Sequence, residues 1–187
     1  MRYNILLECV LNNEKECLPD IIPCTNPNDW NNYINNLYND YFVPDFLNSK
    51  IFFMGLPVYI RPEPRYNNWE HGFIHMTHRD YSHNSHDPND RVPDFRRSER
   101  LPWVKRTIEN YSCSVDNDCD EILYWEELYR GFIRVNLLYE YEAFQVVLEK
   151  RKNHYMIITS FQLDEEWELE KRIRKYEKYK KQKTPLE

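Results

Sequence analysis

Glycine is nearly missing: the 187 residues hold three. A Gly-rich phosphate loop needs several in one short stretch, so P-loop and dinucleotide-binding readings are excluded at once. Paired cysteine motifs are missing as well. Cys9, Cys17, Cys24, Cys113 and Cys119 are odd in number and contain no C-x-x-C pair. They read as reduced cytosolic thiols, because Arg2 and Glu8 interrupt Met1–Val10 and leave no signal-peptide core. No apolar run approaches the ~20 residues of a membrane span, which predicts a cytoplasmic chain with no membrane contact. There is no general positive charge either. The formal net charge of −6 argues against a generic nucleic-acid coat. Internal repeats and long linkers are also missing.

What is abundant is aromatic. Phe, Trp and Tyr make up 16% of the chain, with 15 tyrosines and 5 tryptophans. Such residues serve both a core and a surface that stacks on bases. A hydrophobic fraction of 41% is enough for one core at this length. We expect a helical N-terminal extension over residues 1–49 and a main domain over 50–187, together one compact unit.

Apolar spacing predicts a helix near Asn28–Tyr41, capped by Asn26 or Asn28 and ended by Pro44. Lys50–Arg61 reads as a strand with a bulge or edge at Gly55–Pro57. Arg79–Val92 is polar and mostly loop. Pro102 suits the first turn of a helix over Pro102–Tyr111, with Ser98–Arg100 as its lead-in, and Ser112–Asp120 reads as an acidic turn region. Four runs rich in β-branched and aromatic residues follow: Glu121–Leu128, Gly131–Tyr139, Ala143–Arg151 and His154–Leu163. Their short junctions predict an antiparallel meander. Asp164–Gln182 is a helix with acids at its start and bases at its end, matching the helix dipole. Trp167, Ile173 and Tyr176 are its packing residues, so its first half should be the docked one. Helices and an antiparallel meander are thus both expected.

Charge is unevenly distributed. Six basic residues between Arg91 and Arg106 face only Asp94 and Glu99, and eight between Lys171 and Lys183 face only Glu177. A bipolar chain of this kind can hold a basic cleft despite its acidic total. The stretch His71–Arg106 also holds five of the six histidines. Imidazoles that move protons beside guanidiniums that hold phosphate are what RNA cleavage by 2′-OH attack requires. His75 lies inside the apolar patch Phe73–Met76, which fixes its surroundings. Arg97 and Arg100, or Arg96 and Arg100, share a face if their turn is helical. On the last strand, strict alternation puts Tyr155, Ile157, Thr159 and Phe161 on one face.

The bland readings stay open beside these. His71, His75 and His78 could instead gather a metal with Asp80, Asp87 or Asp90, although no H-E-x-x-H is present. His83 and His86 suit a solvated loop. The arginines suit a solvated basic face, and Tyr155 and Thr159 suit an ordinary strand.

The segments F-x-H-M-T, P-D-F-R-R-S-E-R-L-P-W-V, Y-E-A-F-Q-V-V-L-E-K-R and Y-M-I-I-T-S-F resemble the phage- and toxin-associated branch of the barnase–EndoU–colicin–RelE (BECR) ribonucleases. The resemblance covers about Lys50 to Lys178. It implies an α+β fold, with helices packed on a curved antiparallel sheet and the active cleft on the sheet face, and it places His75, Arg97 or Arg100, Tyr155 and Thr159 at matching positions. The acidic total and the insertion Tyr81–Asp90 depart from the pattern.

The reading is thus a metal-independent RNA endonuclease that leaves a 2′,3′-cyclic phosphate and needs no cofactor. Its catalytic set is His75, Arg97, Arg100, Tyr155 and Thr159, with Arg79, Arg96 and Lys105 binding substrate. The partners are an RNA substrate, tRNA or mRNA, and a cognate inhibitor in a toxin–antitoxin or antiphage setting. The basic C-terminal helix could hold RNA backbone or that inhibitor. The rivals are a non-catalytic protein-binding module of the same fold and a His/Asp metal-dependent nuclease.

Overall fold

The computed structural model describes residues 18–81, 90–116 and 122–183. Cys9, Cys17, Cys119, His83, His86 and Asp87 lie outside them, as does the side chain of Cys113. Asn26 accepts a hydrogen bond from the Asn28 amide and opens a short 3₁₀ turn, after which helix α1 spans Trp30–Leu37. The chain does not stop at Pro44. It continues as a π-helical segment, Tyr38–Leu47, with Pro44 inside. The wider i→i−5 pattern moves away the carbonyl that a proline ring strikes in an α-helix, so the expected stop becomes a change of helix type.

Lys50–Arg61 folds as two strands, not one. β1 (Ile51–Phe53) and β2 (Leu56–Ile60) pair antiparallel around a tight turn. Met54 and Gly55 have φ of 48° and 81°, the left-handed backbone that hairpin turns require and that glycine adopts without strain. Helix α2 (His71–Thr77) follows, then a small hairpin of β3 (His78–Asp80) and β4 (Arg91–Pro93). Asp94 caps α3 (Phe95–Glu99) by accepting from the Arg97 amide. α4 (Leu101–Asp116) runs five residues past the expected end at Tyr111, through the first part of the segment read as an acidic turn.

The predicted meander is present as β5 (Ile122–Tyr129), β6 (Phe132–Tyr139), β7 (Phe144–Lys150) and β8 (Tyr155–Gln162). The curled six-stranded sheet has the order β1-β2-β8-β7-β6-β5, with β2 and β8 parallel and every other pair antiparallel. The fold is α+β. Val135, Leu137, Phe144, Val146, Leu148, Tyr155 and Ile157 point to one face and share a core with Leu101, Val104 and Ile108 of α4. Ile34, Leu37, Phe42 and Phe46 belong to that same core, so residues 18–47 are part of the domain and not an appendage.

The opposite face is split. Helix α5 (Glu166–Lys183) covers one half, over Leu123, Trp125, Leu138 and Leu163. It docks through Leu169, Ile173, Tyr176 and Tyr179, well into its second half, while Trp167 stays 57% exposed. The expected packing role of Trp167 is therefore corrected, because its position turns it away from the sheet. The other half of that face is open, and the site lies there.

α2 is seated by a close approach. A Cβ at Gly72 would lie 2.3 Å from Ile60 Cγ2, and the Gly72 amide donates to the Arg61 carbonyl at 2.9 Å. Gly72→Ala should lower stability by about 1–3 kcal/mol through overpacking and shift the His71 ring. Chemical denaturation and imidazole NMR chemical shifts would check this. Unchanged stability and shifts would mean that Ile60 simply rotates aside.

Candidate functional site

α2 presents two faces. Phe73, Ile74 and Met76 face the core, and Phe73 is held by Tyr38, Phe42 and Trp69 at ring separations of 5.0, 4.9 and 5.5 Å. His71 and His75, four apart, point the other way and stack at 4.0 Å with 23° between their planes. The helix is tied to the sheet on this side too, since Thr159 Oγ1 donates to the His75 carbonyl at 3.1 Å.

Both imidazoles line a cavity of about 720 Å³ on the open half of the sheet. Its floor sets polar groups among apolar ones such as Val147 and Ile158, where a sheet face is usually apolar throughout. Gln145 Nε2 donates to Asn136 Oδ1 at 2.7 Å, and Glu149 is clamped by Arg134 at 3.0 Å and by Arg151. Five arginines line the cavity (Arg61, Arg130, Arg134, Arg151 and Arg172) against two glutamates, Glu127 and Glu149. Among the described residues, Arg61, Arg130 and Arg172 have no carboxylate within ion-pair distance. The lining therefore carries more guanidinium than carboxylate charge, a field that attracts anions.

That charge acts on the histidines. Burial, reinforced by Arg91, His71, Arg97 and Arg61, holds the His75 imidazole down at about 2. Burial, with Arg61 and Arg91, holds His71 at about 4. Against an ordinary value near 6.5, both rings are neutral at pH 7. Arg91 lies 3.5 Å from His75 Nδ1, and its position is fixed by an ion pair to Asp80 at 2.8 Å. A guanidinium only donates, so Nδ1 is the acceptor and the proton of His75 sits on Nε2.

The structure brings only part of the expected set together. Thr159 and Arg97 meet beneath α2: Arg97 Nη1 donates to Thr159 Oγ1 at 3.5 Å and to the His78 carbonyl at 3.3 Å. Arg97 is also paired with Asp94 at 3.1 Å. Both side chains hold backbone in place.

Tyr155 is a correction. It is 2% exposed, in the main core, with its ring edge on Phe53 at 5.1 Å. A bulge explains it. Val147 pairs with Thr159 and Leu148 with Ile157, which leaves Ile158 as an extra residue that reverses the alternation. Tyr155 and Thr159 therefore do not share a face.

Arg100 is also turned elsewhere, over the Trp103 ring at 5.0 Å, and does not line the cavity. Arg96 pairs with Asp164 and Lys105 with Asp45, while Arg79 is exposed on β3. His78, the third member of the metal reading, bonds Thr77 through Nδ1 at 2.8 Å. Its ring packs edge-on to Trp30 at 5.6 Å, apart from the His71–His75 stack.

The site includes residues that the sequence reading placed elsewhere or passed over: His71, read only as a metal ligand, Arg91, left to a solvated basic face, and Arg61, Arg130, Arg134, Arg151 and Arg172. A signal existed. Arg134 and Asn136 on β6, and Gln145 and Glu149 on β7, place polar groups at alternate positions of central strands, where a fully covered sheet would carry apolar ones. No family model, curated protein or solved structure matches this chain.

The neutral rings have a consequence for stability. Below pH 6.5 the unfolded chain takes up protons on His71 and His75 that the folded chain refuses. Their contribution is full above 6.5 and is lost as the pH falls toward about 4 for His71 and about 2 for His75. Melting temperature should therefore drop between pH 7 and 4, and less steeply in His75→Gln. Parallel pH curves for the two proteins would mean that the His75 ring titrates as if in water.

Proposed function

We propose that this chain is an endoribonuclease that cuts by 2′-OH attack at the His71–His75 cavity, and that it is a divergent relative of the BECR ribonucleases. The observation that carries the reading is the pair of stacked, neutral imidazoles opening into an arginine-lined cavity. The four-stranded antiparallel meander, with the cavity on the sheet face beside α5, supports the kinship.

His71 is the base, because Arg91 engages Nδ1 of His75. It takes the proton of the 2′-hydroxyl as O2′ bonds to phosphorus. The P–O5′ bond breaks, and the His71 imidazolium returns the proton to O5′. The products are a 2′,3′-cyclic phosphate and a 5′-hydroxyl. His75, with its proton on Nε2, donates to a phosphoryl oxygen, and the arginines offset the charge of the phosphorane. The entering phosphodiester also cancels part of the arginine field, so the imidazolium forms more readily in the complex than in the free protein. All of this chemistry comes from imidazole and guanidinium groups and calls for no metal. An acidic protein surface would match the cavity, which is the form we expect of a cognate inhibitor. The setting would be a toxin–antitoxin pair or antiphage defence.

Incubation with tRNA and mixed cellular RNA in EDTA is the test. Wild-type protein should release fragments ending in cyclic phosphate, and His71→Ala should lose roughly 10²–10⁴-fold in rate. Because His71 must be unprotonated, kcat/KM should rise through about pH 4 and be level by pH 6, whereas an ordinary histidine would place that rise near 6.5. No cleavage with or without divalent ions, or full activity in His71→Ala, would end this assignment. The first outcome would favour the protein-binding module.

A further inference from the structure

At one mouth of the cavity the β5–β6 hairpin ends in two aromatic residues. Tyr129 and Phe132 face each other across the hairpin, and both line the cavity. They are 47% and 43% exposed. Water is a poor neighbour for two large rings, yet among the described residues no other element covers them. Guanidinium groups surround them. Arg130 and Arg134 lie 5.3 and 5.4 Å from the Tyr129 ring centre, and Arg151 lies 4.5 Å from that of Phe132. Beneath them, Gln145 Oε1 and Arg134 Nη1 are buried without a hydrogen-bond partner among the described residues.

We propose that Tyr129 and Phe132 form a stacking platform for an unpaired nucleobase, so that the substrate is RNA that is single-stranded beside the scissile phosphate. This rests on the ribonuclease reading and adds the substrate class to it. A partner that satisfies half-exposed rings and arginines at once must carry flat π-faces and negative charge on one chain. Single-stranded nucleic acid does so, with aromatic rings taking the bases and cations tracking the backbone. A duplex hides its base faces in its own stack and leaves the rings nothing to meet. The rings and the catalytic pair line one cavity, so one strand with a phosphate at His71 can also engage the platform.

The test uses a fluorescein-labelled, ten-nucleotide 2′-O-methyl oligoribonucleotide, which cannot be cleaved by 2′-OH attack. Binding to the full chain is read by anisotropy. The single strand should bind more tightly than its duplex. Tyr129→Ala and Phe132→Ala should each weaken it roughly tenfold or more, in line with the stacking of one base, while Phe132→Trp should retain affinity. An oligomer made abasic throughout should bind wild type and Phe132→Ala equally.

Equal binding of the single strand by the ring variants, an equal loss on the abasic oligomer, or no binding would overturn the platform. So would self-association in sedimentation that Tyr129→Ala abolishes, because the rings would then belong to a protein contact. Cleavage of unmodified RNA is followed in parallel. Ring-dependent binding without cleavage would retain the platform and end the ribonuclease reading. Cleavage that ring removal leaves unchanged would do the reverse.

Discussion

Everything at the cavity depends on the seating of a seven-residue helix, His71–Thr77. A helix this short has no stability of its own, because nucleation costs more than two turns of hydrogen bonds return. It is held from outside on three sides. Phe73 is gripped by the aromatic group of Tyr38, Phe42 and Trp69. The amides of His71 and Gly72 donate to the Pro62 and Arg61 carbonyls at the end of β2. Thr159 reaches up from β8 to the His75 carbonyl. The π-helical segment earns its place here, since it delivers Tyr38 and Phe42 to Phe73, and Tyr38 also donates to the buried carboxylate of Glu70 just before α2. The N-terminal helices thus act on the site through packing, although none of their residues lines the cavity.

The sheet divides its two faces by chemistry. One face is apolar along its length and closes on α4. The other is apolar beneath α5 and mixed beyond it, where Asn136, Gln145 and Glu149 stand among Val147, Met156 and Ile158 at positions that an ordinary sandwich would fill with aliphatic side chains. Burying Glu149 at 3% exposure would be costly if it stood alone. Two guanidiniums compensate it, and by doing so they fix Arg134 and Arg151 at the cavity wall. The carboxylate thereby orders the cations without cancelling them all.

Legibility in the sequence followed the locality of the signal. The four-strand meander and the C-terminal helix were readable because β-branched and aromatic runs, and a dipole-matched charge gradient, are local patterns. The chain through Pro44 was not, because the π-helical geometry that tolerates it is maintained by the tertiary burial of Phe42 and Phe46. The β1–β2 hairpin hid behind Met54, an unusual residue for a left-handed turn position. The largest error at the site came from one residue. The bulge at Ile158 leaves no trace in composition, yet it sends Tyr155 to the core and Thr159 to α2. The arginines near the histidines in sequence were over-read. Arg96 and Arg100 are spent on Asp164 and Trp103, whereas the cavity draws its cations from β2, the β5–β6 turn, β6, the end of β7 and α5. Long-range assembly of this kind is invisible to a pass along the chain.

Electrostatics then links the parts. In the free protein, burial and Arg61 and Arg91 keep both imidazoles neutral. A neutral ring is ready to take a proton, but the same field opposes the imidazolium that results. For the proton shuttle we propose, the field therefore favours the first half in readiness and hinders the second in energy. An anion among the arginines changes the balance. It removes part of the repulsion felt by His71 while leaving burial in place, so proton affinity rises only once the cavity is filled. The arginines are in this sense a switch on basicity as well as a clamp on charge. A cavity with histidines but no arginines would leave burial alone to hold its base down, and an anion would have no arginine repulsion to relieve.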